Sequence, residues 1–551
     1  MKTSGESLCH NISIFRALLR RTFKDRQKCL SYQHKLKFDA DSAKLPPETV
    51  MNNSFTTFQQ KLVDIAQLKS AFAVLNWDKD VFMPPKGSGP RAAMLGYLAG
   101  ELHDKVLSRE FRELLRDAKA AADANELQPG ERAIVREVWR DVSREEKLPL
   151  EFVKELAQVA SEAYHVWMDA RKKKEFKLFA PHLTKIVALK RREAELVGFK
   201  QSPYDALLDT FEPYATTEEI TIALGDLKKF LAPFLVKIRN SKVKVSRDVL
   251  AGEFDIEKQK AFCALAARQI GYDFDAGRLD VSAHPFSTSF HPQDSRITTR
   301  YSRSEFMQSI SGVIHETGHA LYEQGLPVAH FGTPLAEAVS LGIHESQSRL
   351  WENLVGKSRA FWTYFYPVLQ KEFPAPLQNV SLENFYRAIN TVRPSFIRVE
   401  ADEVTYNLHI ILRFEIETAL IAGDIAVEDL PGIWDSKMKD LFGLDVPDDS
   451  LGVLQDVHWS GGMIGYFPTY SLGNLYSAQF FAAARRDLPS LDDEMARGEF
   501  GKLLKWLREK IHVHGKTYSA QELAKNATGE KLNSKYFAEY ISKKYSEIYE
   551  L

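Results

Sequence analysis

From residue 51 onward, hydrophobic residues recur mainly at the three- and four-residue spacing of amphipathic helices, within segments rich in Leu, Ala, Glu, Lys and Arg. The segment LTKIVALKRREAELV has this spacing at Leu183, Ile186 and Val187, which predicts a helix with one buried face. No internal repeat and no linker rich in Gly, Ser or Pro divides the sequence. We therefore predict a mainly α protein with one large helical body over residues 51–551.

Local signals add boundaries to this pattern. Thr216 and Glu219 have the spacing of a capping box, and they predict a helix that begins there. The segment FMPPKGSGPR at 82–91 predicts a turn between two helices. Residues 284–301 differ from the rest, because Thr, Ser and aromatic residues replace the helix formers. We expect a short pair of strands there, just before the strongest motif of the chain.

The composition is that of a globular protein, with 44% hydrophobic and 27% charged residues among 551. The formal net charge is −1, so the chain as a whole is not attracted electrostatically to nucleic acid or to anionic lipid, and we expect neither as a partner. The sequence contains no apolar run of about 18 residues, so it predicts no membrane-spanning helix. The three cysteines, Cys9, Cys29 and Cys263, are too few for a disulfide framework, which favours a reducing, cytoplasmic setting.

The first 50 residues have a different character. Residues 1–38 carry nine Lys and Arg residues against only Glu6 and Asp25, with an Arg-rich stretch at 15–23. We interpret residues 1–50 as a basic, disordered extension, and an organelle-targeting segment is the alternative.

Residues 315–319 read His-Glu-Thr-Gly-His in a helical context. Histidines four residues apart share one helix face, so His315 and His319 can bind one metal ion, as in HExxH zinc peptidases. Glu316 would take a proton from metal-bound water and later deliver it to the leaving amine. From the composition of the chain, at most about 0.05 such motifs are expected by chance. The alternative interpretation is that the two histidines only pack in a polar pair of helices.

A catalytic zinc ion requires a third protein ligand and one open position. The segment PLAEAVSLGIHESQSRL offers Glu337, His344 and Glu345. Glu337 and Glu345 are eight residues apart and share a face if the segment is helical, so spacing alone does not choose between them.

Two further segments offer groups for the substrate. Residues 393–417 predict a helix that carries Arg398, Asp402, Glu403 and His409. Such a charged face is usually only solvated, but an enzyme that acts at a chain end needs a cation for the terminal carboxylate. Arginine suits this role because its planar fork binds carboxylate bidentately, and the candidates are Arg398 and Arg296.

Residues 452–474 are rich in glycine and aromatic residues. A turn-rich core segment is the simple interpretation. The functional one is that His458, Tyr466 and Tyr470 donate hydrogen bonds to the oxyanion that forms at the substrate carbonyl, while the glycines let the backbone approach the substrate.

With these residues assembled, the chain closely resembles the carboxypeptidase Taq family of metallocarboxypeptidases, from about residue 55 to the C-terminus. Five blocks in order carry the resemblance: DSRIT at 294–298, HETGH at 315–319, HESQS at 344–348, IRVEADEVTY at 397–406 and GVLQDVHW at 452–459. The resemblance implies a nearly all-helical fold with a deep active-site groove, a homodimer, and zinc as the metal with cobalt as an effective substitute.

The resemblance also implies roles for single residues. It implies Glu345 rather than Glu337 as third ligand, Glu316 as general base and Arg398 as anchor of the substrate carboxylate. His458, Tyr466 and Tyr470 resemble the oxyanion and substrate-positioning set.

We therefore predict a metallocarboxypeptidase that removes single C-terminal residues from peptides by metal-activated water, with broad specificity. The alternatives are an oligopeptidase or dipeptidase with the same metal site, and a non-catalytic zinc-binding scaffold. Substrates would be peptides with a free C-terminus.

Overall fold

Helices make up most of the chain that the structure describes. The computed structural model describes residues 51–551, with side chains from residue 54 onward, and Ser54–Leu551 form one compact unit. The helices are, in chain order, α1 Met51–Val81, α2 Ser88–Val106, α3 Arg109–Asp123, α4 Pro129–Glu146, α5 Leu150–Lys173, α6 Phe176–Val197, α7 Pro203–Leu208, α8 Thr217–Asn240, α9 Ile256–Gln269, α10 Phe306–Glu323, α11 Leu341–Arg349, α12 Arg359–Glu372, α13 Pro374–Leu377, α14 Leu382–Ile389, α15 Tyr406–Ala422, α16 Leu430–Phe442, α17 Pro468–Asp487, α18 Leu491–Ala496, α19 Gly501–Lys510, α20 Ala520–Thr528 and α21 Lys535–Tyr549.

The hydrophobic spacing that predicts these helices corresponds to their buried faces. Leu183, Ile186 and Val187 on α6 are all buried, and each such side chain contributes about 1.5–3 kcal/mol relative to its exposure to water. The capping box before α8 is also confirmed. Thr216 Oγ1 accepts a hydrogen bond from Glu219 N at 3.2 Å, and the Glu219 carboxylate accepts one from Thr216 N at 3.3 Å.

A small three-stranded sheet lies between α9 and α10 in the chain. Its strands are β1 Leu279–Val281, β2 Ser287–His291 and β3 Asp294–Thr299, in the order β1-β3-β2. Strands β2 and β3 are antiparallel, with Ser287 opposite Ile297. The predicted strand pair is therefore confirmed, while the parallel strand β1 is an element that the sequence did not predict.

Helix α10 packs closely on α11, and α11 packs closely on α17, because a glycine, which has no side chain, lies at each of the two crossings. A Cβ at Gly318 would stand 2.6 Å from Cα of Ser348. A Cβ at Gly473 would stand 2.4 Å from Cγ of Glu345. Real Cβ atoms do not approach other atoms this closely, so both positions require glycine for the observed packing.

The helix predicted over residues 393–417 begins later than expected, and this prediction was wrong in part. Only His409 of the four predicted residues lies on α15, while Arg398–Glu400 form a 3-10 turn. The reason is the side chain of Asp402, which accepts hydrogen bonds from the backbone N–H and the hydroxyl of Thr405. Such local bonds compete with helix at that point and favour the start of a helix after it.

The interpretation of residues 1–50 as a basic extension falls outside the described residues. Among the residues that are described, no helix combines the length and the apolar character needed to span a membrane.

Candidate metal centre and active-site cavity

Helix α10 brings the two motif histidines to one side of the protein core. Its buried face includes Ile310 and Val313, which fix the rotation of the helix. His315 and His319 follow one helical turn apart, and their ring centroids are 4.9 Å apart. Both imidazoles can therefore bind a single metal ion, as the i, i+4 spacing predicts.

Helix α11 brings a carboxylate to the same point. Glu345 Oε2 lies 3.7 Å from His315 Nε2 and 3.4 Å from His319 Nε2. The other candidate, Glu337, precedes α11 and forms an ion pair with Lys516 at 2.7 Å. The structure thus groups Glu345 with the two histidines and places Glu337 in a separate ion pair.

These three residues fit a small divalent metal ion. One ligand atom from each lies within 4.8 Å of the others. Nitrogen and oxygen ligands bound at about 2.0–2.2 Å to one tetrahedral zinc ion stand roughly 3.3–3.6 Å apart, close to the distances from Glu345 to the histidines. Two imidazoles and one carboxylate are a donor set of catalytic zinc sites.

Glu352 and Arg349 hold these groups in place, and sequence reasoning missed both. The His315 Nδ1 atom lies 2.8 Å from Glu352 Oε2, so a proton on Nδ1 leaves Nε2 free for a metal. Arg349 donates from Nε to Glu345 Oε1 at 2.7 Å and from Nη1 to Glu352 Oε2 at 3.1 Å. The available signal was the spacing of Arg349 from Glu345, four residues along a helix.

The charges of this cluster favour the metal-binding forms of Glu345 and His319, whereas at His315 burial, which lowers the pKa, is outweighed by Glu345 and Glu352, which raise it. Burial would raise the pKa of Glu345, but Arg349 lowers it well below its usual value. Burial lowers the pKa of His319 to about 3. At neutral pH Glu345 is therefore ionised and His319 is neutral, which are the forms that bind a metal.

Glu316 follows the first histidine and is also buried, with 7% of its surface exposed. Its carboxylate makes no hydrogen bond within the part of the chain that the structure describes, and burial raises its pKa to about 7. A carboxylate with such a pKa is suited to take up and give back a proton near neutral pH.

A cavity of about 570 Å³ opens at this cluster. Part of its wall is formed by Ser287, the first residue of β2, and by Pro285 and Phe286 just before the strand. Functional side chains on the wall include His315, Glu316, His319, Glu345, Arg349, Glu352, Lys357, Arg398, Tyr406, Tyr466 and Tyr470. The metal ligands predicted from the sequence thus face the same space as Arg398 and the two tyrosines.

Arg398 reaches the cavity from the 3-10 turn before α15. Its Nε and Nη2 donate to Asp456 Oδ1 at 3.1 and 2.8 Å, and its Nη1 donates to the Tyr406 hydroxyl at 3.2 Å. Arg413 binds the other oxygen of Asp456 and is fully buried. Two guanidinium groups therefore share one carboxylate, which leaves an excess positive charge at the cavity wall.

His458 lies behind the tyrosines. Its Nε2 is 3.2 Å from the Tyr470 hydroxyl, and the Tyr466 and Tyr470 rings are 5.3 Å apart. Burial lowers the pKa of His458 to about 4, so this imidazole is neutral at pH 7. A neutral His458 can orient the Tyr470 hydroxyl without adding a charge.

Arg296 has a different environment. Its guanidinium binds Asp294 through two hydrogen bonds of 2.7 and 2.8 Å and stacks over the rings of Trp77 and Phe290. In the described part of the chain, Arg296 is not among the residues that line the cavity. It connects β3 to α1 and to the neighbouring strand.

This chain is similar to a known peptidase family and to several of its members. The family model described as carboxypeptidase Taq (M32) metallopeptidase matches residues 57–545. Thermostable carboxypeptidase 1 of Thermus thermophilus is 42% identical over 515 residues, covering 92% of this chain and 100% of that protein. Carboxypeptidase 1 of Bacillus subtilis is 40% identical over 497 residues, covering 90% and 99%. The crystal structure of M32 carboxypeptidase from Deinococcus radiodurans matches with a TM-score of 0.88 and 37% identity, covering 91% of this chain and all of that one.

Proposed function

Because this chain belongs to the carboxypeptidase Taq (M32) family and is a metallocarboxypeptidase, we propose that it removes single residues from the free C-terminus of peptides at the cavity described above. The observation that carries the proposal is the shared cavity of His315, His319, Glu345 and a cationic Arg398. Mass spectra of a mixed peptide panel test it, because peptides should shorten one residue at a time. Cleavage inside peptides, or release of dipeptides, would favour an oligopeptidase or dipeptidase instead.

His315, His319 and Glu345 would hold the metal, which we propose to be zinc, with cobalt as a substitute. When bound there, the metal supplies Lewis acidity that makes water a nucleophile at neutral pH and polarises the substrate carbonyl. The donor set of two imidazoles and one carboxylate supports zinc. Glu352 and Arg349 keep the ligands oriented before the metal arrives.

Glu316 serves as the general base in this proposal. It takes a proton from the attacking water and delivers the proton to the leaving amine. Its carboxylate is free of hydrogen bonds within the described residues, so proton transfer does not require another bond to break first. The edge strand β2 would hold the extended substrate at its beginning, since Ser287 and the preceding Phe286 line the cavity.

Tyr466, Tyr470 and His458 form the proposed oxyanion set. The two tyrosines face the cavity, and His458 supports Tyr470 from behind. A phenol hydroxyl can donate a hydrogen bond to the oxygen on which negative charge develops during attack of water.

Arg398 is the proposed anchor for the terminal carboxylate of the substrate. We expect Arg398→Ala to raise KM about ten- to a hundredfold for peptides with a free C-terminus, because one charge-assisted hydrogen-bond pair is lost. C-terminally amidated peptides have no such carboxylate, so their slow cleavage should not change. Steady-state kinetics on matched free and amidated peptides measure this difference.

Two variants serve as controls for this prediction. Arg398→Lys keeps the charge but loses the planar fork, so KM should rise less than with alanine. Arg296→Ala tests the alternative anchor on the same peptides. Equal losses on free and amidated peptides would remove the role from Arg398.

We also propose a homodimer that uses α2. None of the residues of this 19-residue helix is buried, although it carries Met94 with 52% and Tyr97 with 67% of the surface exposed. Phe82, just before the helix, is 55% exposed. A second copy of the chain would cover these apolar groups.

Light scattering after size exclusion tests the dimer. The wild-type protein should have about twice the 62.7 kDa of one chain. The double variant Met94→Glu and Tyr97→Glu should be a monomer, because two charges would be buried in the interface. Val236→Glu, at an exposed position on α8, should remain a dimer. A monomeric wild type would contradict the dimer, and a dimeric double variant would contradict the surface.

Finally, we propose a cytoplasmic location. The low cysteine count supports it, since Cys263 is a free, buried thiol.

A further inference from the structure

Lys357 is a cation of the active-site cavity that the proposed mechanism does not use. It follows the π-helical segment Leu350–Val355, which carries Glu352, the partner of His315. The Lys357 side chain lines the cavity and is 19% exposed. π-Helical segments are rare and occur often at functional sites.

The ammonium group of Lys357 has no hydrogen-bond partner within the described chain. Among the described residues, Glu352 Oε1 is the one carboxylate oxygen within 4.0 Å of its Nζ, at the limit of that distance. Glu352 already binds Arg349 and His315 through its other oxygen. A nearby second carboxylate, Glu403, already accepts hydrogen bonds from Lys544, Tyr540 and Tyr545. The three donors of the Lys357 ammonium are thus available to a ligand.

The other two Arg or Lys side chains among the described residues that line the cavity already donate hydrogen bonds to protein groups, although Arg398 uses only three of its five N–H donors for them. Arg349 binds Glu345 and Glu352. Arg398 binds Asp456 and the Tyr406 hydroxyl. Lys357 therefore differs from both, because its partly buried ammonium makes no hydrogen bond to a carboxylate of the described residues and its nearest carboxylate oxygen there lies 4.0 Å away. A ligand carboxylate at hydrogen-bond distance would pair with it more closely.

A second polar group beside Lys357 also lacks a partner. Asn353 lines the same cavity, has only 5% of its surface exposed and lies four residues earlier. Its carboxamide makes no hydrogen bond within the described residues, and its Oδ1 is buried. A carboxamide can turn its NH₂ group toward an anion, so Asn353 and Lys357 together offer donors to one carboxylate.

The position of this pair relative to Arg398 indicates which part of a substrate it meets. Arg349 stacks over the Tyr406 ring, whose hydroxyl contacts Arg398. In the other direction Arg349 binds Glu352, next to Lys357. One continuous wall thus connects Arg398 to Lys357. A terminal residue whose α-carboxylate binds Arg398 could extend its side chain along this wall.

We propose that Lys357, together with Asn353, determines the specificity of the enzyme for the C-terminal residue of the peptide. The pair favours peptides that end in a residue with an acidic side chain, above all glutamate. This inference rests on the proposed function. The ammonium pairs with the side-chain carboxylate while Arg398 binds the α-carboxylate. The long side chain of glutamate suits two cations separated along one wall. Chemistry at the scissile bond is the same for every substrate.

The test uses pairs of peptides that differ only in a C-terminal Glu or Gln, with the metal-loaded enzyme. The measured quantity is the ratio of kcat/KM for Glu over Gln. We expect Lys357→Met to lower this ratio about ten- to a hundredfold, since a charge-assisted pair in a partly buried site is lost. Lys357→Arg should retain most of the ratio, and Lys357→Glu should move the preference toward C-terminal Lys.

Control measurements separate this inference from the proposed function. Lys371→Met, at an exposed position on α12, should keep the wild-type ratio. If the wild type releases no C-terminal residue at all, the proposed function fails. If it releases Gln but the Glu/Gln ratio is the same in Lys357→Met and wild type, only the role of Lys357 is overturned. An effect confined to Glu at the penultimate position would also overturn it.

Discussion

Replacement of Glu316 by Gln is expected to lower kcat for peptide hydrolysis by about a hundred- to ten-thousandfold, the range that general-base catalysis contributes. The amide has nearly the same shape as the carboxylate but cannot accept a proton from water. Glu316 makes no hydrogen bond within the described residues, so the substitution leaves no partner unpaired. The metal should stay bound, because the proposed ligands are His315, His319 and Glu345.

Two measurements together decide this prediction. Turnover is followed with a peptide that has a free C-terminus, and the metal content is measured by elemental analysis of the same preparation. Glu305→Gln, an exposed position at the start of α10, is the matched control and should keep wild-type rates. Wild-type rates in Glu316→Gln would show that another group is the base. Loss of the metal would instead assign Glu316 a structural role at the centre.

The part of the site that lies within one helix could be predicted from the sequence. His315 and His319 are brought together by the helix itself, because residues four apart share a face. The third ligand depends on a second helix, and spacing left Glu337 and Glu345 open. The structure shows why spacing was insufficient: Glu337 follows the 3-10 turn Pro334–Ala336 in an extended conformation, and α11 begins only at Leu341, so the two glutamates do not lie on one helix.

Contacts between distant segments could not be predicted from the residues alone. Asp456 binds Arg398 and Arg413, which lie 58 and 43 residues away. Such pairs depend on tertiary packing, which overrides local propensity. The same limit explains where α15 begins. The composition of residues 393–417 is typical of a helix, but the hydrogen bonds from Thr405 to the Asp402 side chain delay the start of the helix. The fold class was predictable because helical spacing is local and is repeated along the whole chain.

The glycines of residues 452–474 illustrate a third limit. From the sequence, these glycines belong either to a turn-rich core segment or to backbone that approaches the substrate. Gly473 instead allows α17 to pack against Glu345, because a Cβ there would stand 2.4 Å from Cγ and 2.7 Å from Cβ of that glutamate. The same residue type serves either purpose, and only the packing of helices distinguishes them.

Gly473→Ala is therefore expected to weaken metal binding about ten- to a hundredfold, the loss typical when the support of a metal ligand is disturbed. The added methyl group must displace Glu345 or separate α17 from α11. Glu345 is held on its other side by Arg349 at 2.7 Å, so its carboxylate cannot shift without loss of that bond. Hydrolysis should fall in proportion to the metal bound, and excess zinc should restore part of the rate.

The matched control is Gly225→Ala, a glycine within α8 where an added Cβ meets nothing within 4 Å. Alanine has the higher helix propensity, so this variant should be as stable as the wild type or more so, with unchanged metal affinity. Zinc titration gives the affinity, and thermal melting of the metal-free proteins shows whether Gly473→Ala still folds. A folded Gly473→Ala protein with wild-type zinc affinity would contradict the prediction that close packing at Gly473 holds Glu345 in its metal-binding position.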